Sequence, residues 1–167
     1  MNISIVIVCL ILAAGIFAPP LFFYLVEKSQ RKKMDAKIKQ VIVKNNLNIS
    51  ESEFWSCRYL GIDTIQRKVL FLDISETESL EQQLDLNNVK GFQILENKKV
   101  LTINDKKEIL LERLDLEVTF KNSERILLNF YDADQEPRQD FELQRIEKWK
   151  TILNGYIPTM PLIKKVA

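Results

Sequence analysis

Three sets of side chains in this sequence have types and spacing that could support chemistry. Four closely spaced carboxylates suggest a calcium loop: Asp73, Glu76, Glu78 and Glu81. Three alternating residues could line a ligand pocket: Trp55, Cys57 and Tyr59. Three arginines could bind phosphate: Arg58, Arg67 and Arg113. Each set also has a plainer, structural interpretation.

The structural interpretation is favoured for all three sets. A calcium loop needs regularly spaced carboxylates and a glycine at its tight turn, and the stretch 73–81 has neither. Aromatic residues and a cysteine at alternate positions are typical of the buried face of a strand. Scattered arginines are typical of a solvated surface. We therefore expect no metal site and no cofactor.

The composition removes most catalytic machinery. The chain has no histidine, which excludes the commonest general base, the commonest zinc ligand and the histidine-containing triads. With four glycines, none of them clustered, it has no glycine-rich phosphate loop. The 23 acids leave paired carboxylates as a route to an enzyme, but no pair stands out. We expect a non-enzymatic protein without catalytic residues.

The N-terminal segment is apolar. Met1–Val26 contains no charged residue, and 24 residues from Ile3 would span about 36 Å as a helix, enough for a hydrocarbon core of about 30 Å. A signal peptide would need basic residues before this stretch and a small-x-small cleavage site after it. The segment therefore predicts a retained transmembrane anchor helix. A close approach of another helix is expected at its small residues, Ala14, Gly15 and Ala18.

A strongly basic stretch follows the apolar segment. Seven basic residues and one acid lie between Lys28 and Lys44. Such clusters remain on the cytoplasmic side, which predicts a single-pass protein of the inner membrane, with its N-terminus outside and its C-terminal domain in the cytoplasm. Non-specific contact with anionic lipid head groups at the membrane surface is expected from Lys28, Arg31, Lys32, Lys33, Lys37 and Lys39.

The remaining residues have the size and charge of one ordinary domain. Residues 45–167 carry a net charge of −4, which argues against nucleic acid as a partner. The two cysteines, Cys9 and Cys57, lie in the apolar segment and in the domain, so they cannot form an intrachain disulfide. This usage fits a reducing compartment.

Hydrophobic periodicity predicts a helix, about seven strands and a second helix. Residues 28–46 have an apolar stripe at helical spacing, and the pattern alternates with period two from Glu53 onward. A last helix is predicted over 138–153, starting near Asp134 and Pro137 and stopping at Asn154-Gly155. The predicted strands include 68–74, 89–95, 99–103, 109–121 and 125–131.

This order of elements resembles the pleckstrin-homology-like fold as found in small bacterial membrane proteins. The resemblance is carried by segments 59–72, 84–94, 116–132 and 143–153 and covers roughly residues 52–154. It implies an α+β, mainly β, seven-stranded antiparallel barrel or sandwich capped by a C-terminal helix. It also implies core positions for Trp149 and Ile146 and a binding or scaffold role.

These expectations divide the chain into four segments. The segments are a transmembrane anchor over 1–27, a basic juxtamembrane amphipathic helix over 28–47, the pleckstrin-homology-like cytoplasmic domain over 48–155 and an extended tail over 156–167. We expect a membrane-anchored scaffold or assembly subunit that binds protein partners within a homo- or hetero-oligomeric membrane complex. The alternative is a membrane domain that senses a lipid or a small ligand.

Overall fold

The computed structural model describes residues 31–32, 34–74, 79–103, 106–136 and 141–158. For residues 79, 101–103 and 106–108 it describes the backbone only. The chain divides into two compact units, Met1–Asn46 and Leu47–Ala167. In the first unit, helix α1 comprises residues 31–32 and 34–44. Ile38 and Val41 are buried and Met34 and Ile42 are half-buried, which is the apolar stripe that the sequence predicts.

Helix α1 ends at the predicted pair of asparagines. The backbone N–H and the side-chain amide of Asn45 both donate to the carbonyl of Val41, each at 3.0 Å. Asn46 takes the left-handed conformation, with φ of 49°. Asparagine tolerates this conformation better than most residues, so the local sequence explains the stop.

The first sheet of the second unit is a meander of four antiparallel strands. They are β1 (Glu51–Trp55), β2 (Arg58–Asp63), β3 (Lys68–Ile74) and β4 (Ser79–Asp85), in the spatial order β1-β2-β3-β4. The alternating stretch around Trp55 is not one strand, because the chain reverses at Ser56 and Cys57. Ser56 has a positive φ of 45°, and Trp55 pairs with Arg58. The predicted alternation also stops there, because all six residues of β2 are buried.

The second sheet has three antiparallel strands, two of them long. They are β5 (Val89–Ile103), β6 (Lys106–Phe120) and β7 (Arg125–Asp132), in the order β5-β6-β7. The two strands predicted at 89–95 and 99–103 are one strand, because the irregularity at Asn97 and Lys98 is a register shift and not a break. The residue left unpaired at this shift is Glu112 of β6, so β5 continues without interruption.

One hydrophobic core joins both sheets and helix α2 (Glu142–Gly155). Ile146, Trp149 and Leu153 of α2 are fully buried, which confirms the core positions predicted for Ile146 and Trp149. Across the sheets, the rings of Trp55 and Phe130 stack with centroids 4.9 Å apart. Burial of large aromatic side chains from both sheets supplies much of the stability of such a small domain.

Helix α2 begins later than predicted. Its first residue is Glu142, preceded by Phe141 in the left-handed conformation with φ of 60° and no side-chain cap. The predicted start at Arg138 is four residues too early, and the predicted cap, Asp134, lies in the turn 133–135 that follows β7. The predicted stop is confirmed: the helix ends at Gly155.

The identification with single-pass bacterial membrane proteins that carry a pleckstrin-homology-like domain is corrected by the structure. The described residues form two separate antiparallel sheets and two helices. Neither helix, over its described residues, is long and apolar enough to cross a membrane: α1 carries several basic side chains, and α2 has 14 residues. The predicted anchor, 1–27, lies outside the described residues. The coarser class is confirmed, a mainly β, α+β fold with two antiparallel sheets and a C-terminal helix.

Candidate functional site

The largest buried charged side chain in the described part of the domain is Arg58, at the start of β2. Its side chain is 1% exposed. The guanidinium donates to the carboxylate of Glu136 and, at 2.7 Å, to Oδ1 of Asn129, and its Nε lies 3.5 Å from Oδ2 of Asp73. Arg58 therefore connects the first sheet to β7 and to the segment that follows β7.

The same network continues to a second arginine. The side-chain amide of Asn129 donates to Oδ1 of Asp115 at 2.9 Å, and Nε of Arg113 donates to Oδ2 of Asp115 at 2.7 Å. This hydrogen bond raises the pKa of Arg113, while partial burial works against the rise. Acids and an amide thus already engage the guanidinium of Arg58, and an acid engages Nε of Arg113, in competition with any phosphate group.

The phosphate site suggested by the sequence is only partly assembled. Arg58 and Arg113 belong to one network, but Arg67 lies in the turn between β2 and β3, with its guanidinium 3.4 Å from Oδ1 of Asn87. Because the two assembled arginines are paired with acids, this cluster is a structural network that holds the two sheets together.

A second polar cluster attaches α2 to β1. Glu53 accepts hydrogen bonds from Nε of Arg145 at 2.8 Å, Nζ of Lys148 at 3.1 Å and Nε1 of Trp149 at 3.0 Å. Burial alone would raise the pKa of Glu53, but the three donors offset that effect and the pKa lies below its usual value. The Arg145 guanidinium also lies 5.2 Å from the ring centroid of Trp55.

A third polar cluster fixes the turn between β2 and β3. The buried carboxylate of Asp63 accepts from the backbone N–H groups of Asn48 at 2.7 Å, Ile65 at 3.0 Å and Gln66 at 2.8 Å. Burial would raise the pKa of Asp63, but these bonds hold it below its usual value. One side chain therefore joins the first residues of the domain to a turn 15 positions later.

The proposed aromatic pocket is part of the packing. Trp55 belongs to the core, and its indole N–H donates to the carbonyl of Phe130 at 3.1 Å. The ring of Tyr59 lies against Gly61, so a Cβ at that position would come within 2.8 Å of the tyrosine hydroxyl. Cys57 lies in the turn between β1 and β2. The alternative interpretation, a buried strand face, is the right one for Trp55 and Tyr59.

The acidic stretch does not form a metal site in the part of the chain that the structure describes. Asp73 faces Arg58, and Glu81 is an exposed residue of β4. Glu76 and Glu78 lie outside the described residues. No group of three or more potential metal ligands occurs among the described residues.

The predicted membrane-contact residues fall partly on α1. Arg31, Lys32 and Lys39 are exposed on that helix, and Lys37 is half-buried. Their contact with lipid head groups stays a prediction. Lys28 and Lys33, and the predicted helix-contact residues Ala14, Gly15 and Ala18, lie outside the described residues.

An open cleft of about 490 Å³ lies where the end of β4 faces the turn between β6 and β7. It is lined by amides, both signs of charge and one aromatic ring. The residues are Gln83, Asp85, Asn88, Phe120, Lys121, Asn122 and Glu124. The carboxylate of Asp85 is engaged by Asn87 and Asn88, and Lys121 donates to the carbonyl of Asn87 at 2.6 Å. These side chains brace the short 3₁₀ helix Leu86–Asn88 that connects β4 to β5.

One exposed apolar surface lies on the far ends of β5 and β6. We call residues 97–103 and 106–112 the ribbon, because β7 pairs with β6 only from Arg113 onward. On the ribbon, Val100 is 57% exposed and Ile109 is 68% exposed, and the two are directly opposite each other across the strands. Leu110, on the other face, is 45% exposed.

The sequence contains a signal for this surface. Strands buried on one face alternate apolar and polar residues, as β6 does from Leu114 to Phe120. The stretch Ile109–Leu111 is instead apolar at consecutive positions, so both faces carry apolar side chains. Such a stretch in a two-stranded ribbon must expose some of them.

Comparisons with protein-family models, curated proteins and solved structures find no match for this chain.

Proposed function

We propose that this chain is a non-enzymatic scaffold or assembly subunit whose β domain binds another protein chain through the ribbon. The observation that carries the proposal is the exposed pair Val100 and Ile109, which faces solvent on strands that extend past the third strand of their sheet. Exposed apolar side chains on a long edge strand favour contact with another chain.

The polar clusters support this choice over catalysis. Arg58, Glu53 and Asp63 are each engaged by partners from other elements, and these contacts connect strands, turn and helix. Perturbed pKa values often mark catalytic sites, but here the pKa values of Glu53 and Asp63 are lowered by contacts that stabilise the fold. Both carboxylates are therefore held in the ionised form for structural reasons.

We also propose that the seven strands form one sandwich closed on one side by α2. Support comes from the single core, in which Phe71 of β3 and Phe130 of β7 have ring centroids 6.5 Å apart and Trp149 of α2 is fully buried. A sandwich of this kind unfolds as one cooperative unit. Phe71→Ala and Trp149→Ala should therefore each shift a single transition, and two resolved transitions would contradict the sandwich.

The predicted location, the cytoplasmic face of the inner membrane, stays part of this proposal. Its support is the uncharged segment Met1–Val26 and the basic side chains that α1 exposes, Arg31, Lys32 and Lys39. A scaffold at that surface would present its domain to proteins gathered in or near the membrane.

Photo-crosslinking in cells tests protein binding directly. A photoreactive phenylalanine derivative replaces Val100 in one variant and, as a matched control, the 79% exposed Ile65 in another. Ile65 is an apolar residue in the turn between β2 and β3, far along the chain from the ribbon. We expect protein adducts from position 100 and none from position 65. The same adducts from both positions, or none from position 100, would contradict the proposal.

The cleft favours a second candidate, the sensing of a small ligand. Lys121 stands beside Asp85 and Glu124 there, so the cleft suits a small polar molecule carrying both charges better than an anionic lipid head group. Saturable binding of such a molecule to the chain without vesicles, abolished by Lys121→Ala, would support sensing. Salt-sensitive binding of the chain to anionic vesicles would instead indicate lipid contact.

A further inference from the structure

We infer that the chain bound at the ribbon is a second copy of this protein, joined by antiparallel pairing of the two β5 edges about Asn97. The inference rests on the proposed function and names its partner. It depends on the free edge of β5, on the charges along that edge and on the exposed apolar pair of the ribbon.

The outer edge of β5 is open to another strand. Among the described strands, β5 pairs with β6 alone, while the second edge of β6 is partly covered by β7. β5 is 15 residues long, and its residues 96–100 are all exposed. The outer side of an antiparallel edge strand presents backbone donors and acceptors that no strand pairs.

Symmetry restricts how two such edges can meet. Two identical antiparallel strands are related by a two-fold axis perpendicular to the sheet, and this axis keeps each face of the sheet on its own side. Two residues that are paired across the axis must therefore point to the same face of the sheet. This requires the axis to lie midway between the two copies of one residue, which we call the centre of the pairing. The choices within the exposed stretch are centres from Glu96 to Val100.

The charges select one of these centres. An axis at Glu96, Lys98 or Lys99 places identical charges opposite each other, which destabilises a strand pair. An axis at Val100 places each lysine opposite an uncharged residue. An axis at Asn97 places Glu96 opposite Lys98 of the second copy, and does so twice. Glu96 and Lys98 already form an ion pair within one chain, which shows that they lie on the same face.

The apolar side chains fit the same centre. With the axis at Asn97, Val100 faces Ile94 of the second copy, again twice. Within one chain, Val100 is opposite Ile109, and Ile94 is opposite Leu116. The pairing would thus extend the exposed pair Val100 and Ile109 into a row of four apolar residues across both copies. It would also give Val100, one of the two side chains that carry the proposed function, a second apolar neighbour.

A cysteine experiment tests the register. Asn97→Cys is made in the full chain with Cys9→Ser and Cys57→Ser, purified in mild detergent because residues 1–26 are uncharged. Residues 97 of the two copies would have Cα atoms about 5 Å apart, within disulfide range. Lys99→Cys is the matched control, because its two copies would be separated by about 14 Å along the strands. We expect a disulfide-linked double mass at position 97 only. No linkage at 97, or equal linkage at 99, would overturn the register.

Charge exchange provides the second test. Glu96→Lys and Lys98→Glu should each place like charges opposite each other twice and weaken self-association about tenfold, measured by size-resolved mass. The double exchange should restore association. If the full chain has the mass of one copy at all accessible concentrations, the second-copy inference fails. Photo-adducts between position 100 and a different protein would then still support the proposed function. The absence of such adducts would contradict both the proposed function and the second-copy inference.

Discussion

The packed interior of the domain and the ribbon both contain charged and apolar residues, but they differ in how far these side chains are covered by the rest of the chain. In the interior, charges such as Arg58 and Glu53 are surrounded by partners from several elements, and apolar side chains are covered on all sides. On the ribbon, Val100, Ile109 and Leu110 are largely exposed on two strands that β7 does not reach. The difference shows that contacts between segments distant in sequence stabilise the domain. The surface that we propose for partners lies on the ribbon, beyond the last residue that pairs with β7.

The largest effect should come from the helix side of the interior. Trp149→Ala removes a fully buried ring and should lower the free energy of unfolding by about 3–5 kcal/mol. Denaturant unfolding of the variant and the wild type measures the loss. An unchanged midpoint would show that α2 does not stabilise the sheets. Leu143→Ala, at a 43% exposed position of the same helix, is the matched control.

The next effect concerns the buried arginine. Glu136→Ala removes a carboxylate from Arg58 and leaves a buried charge with fewer partners, which should destabilise the domain by about 2–3 kcal/mol. The control is Glu124→Ala, because Glu124 is an exposed acid in the turn before β7. Equal losses in both variants would mean that Arg58 does not depend on its ion pair.

A smaller effect should appear as a pH dependence. The pKa values of Glu53 and Asp63 are lower in the folded chain than in the unfolded chain. Their contribution is therefore complete above the unfolded-state pKa, and it is lost as the pH falls through the folded-state pKa. In the Glu53→Gln variant, the free energy of unfolding should decrease less steeply than in the wild type as the pH is lowered through the acidic range. An unchanged slope in that range would exclude Glu53 as a source of the dependence.

The smallest effect on folding is expected on the ribbon. Ile109→Ser should change the free energy of unfolding of a dilute sample by about 0.5 kcal/mol or less, because the side chain is largely exposed. The same change should reduce photo-crosslinking from position 100. A large loss of stability would place Ile109 in the core and remove the contrast between the two regions.

Local patterns in the sequence predicted part of this fold. The alternation in 114–120 identified β6, the helical spacing of Ile146, Trp149 and Leu153 identified α2, and Asn154-Gly155 marked its end. These features depend on the periodicity of one segment, so a single sequence is enough to find them. The antiparallel class followed from the succession of such segments.

Other features depend on contacts that no single segment contains. Arg58 gave no sign of burial, because its partners Asp73, Asn129 and Glu136 come from three other places in the chain. Trp55 and Tyr59 were placed in one strand because a turn at Ser56 and Cys57 has no glycine or proline to announce it. The candidate surface was missed for a related reason. A two-stranded ribbon is recognised only when the third strand is known to stop short.

The bond between Asn48 and Asp63 has a mechanical consequence. The chain enters the domain at Leu47, and within four residues the N–H of Asn48 is bound to the Asp63 carboxylate and the N–H of Ser50 to the carbonyl of Ile62. Tension applied from the N-terminal side would meet these two bonds before it reached the ladder between β1 and β2. Protonation of Asp63 would weaken the first of them, so the force needed to peel β1 from the sheet should decrease in acid.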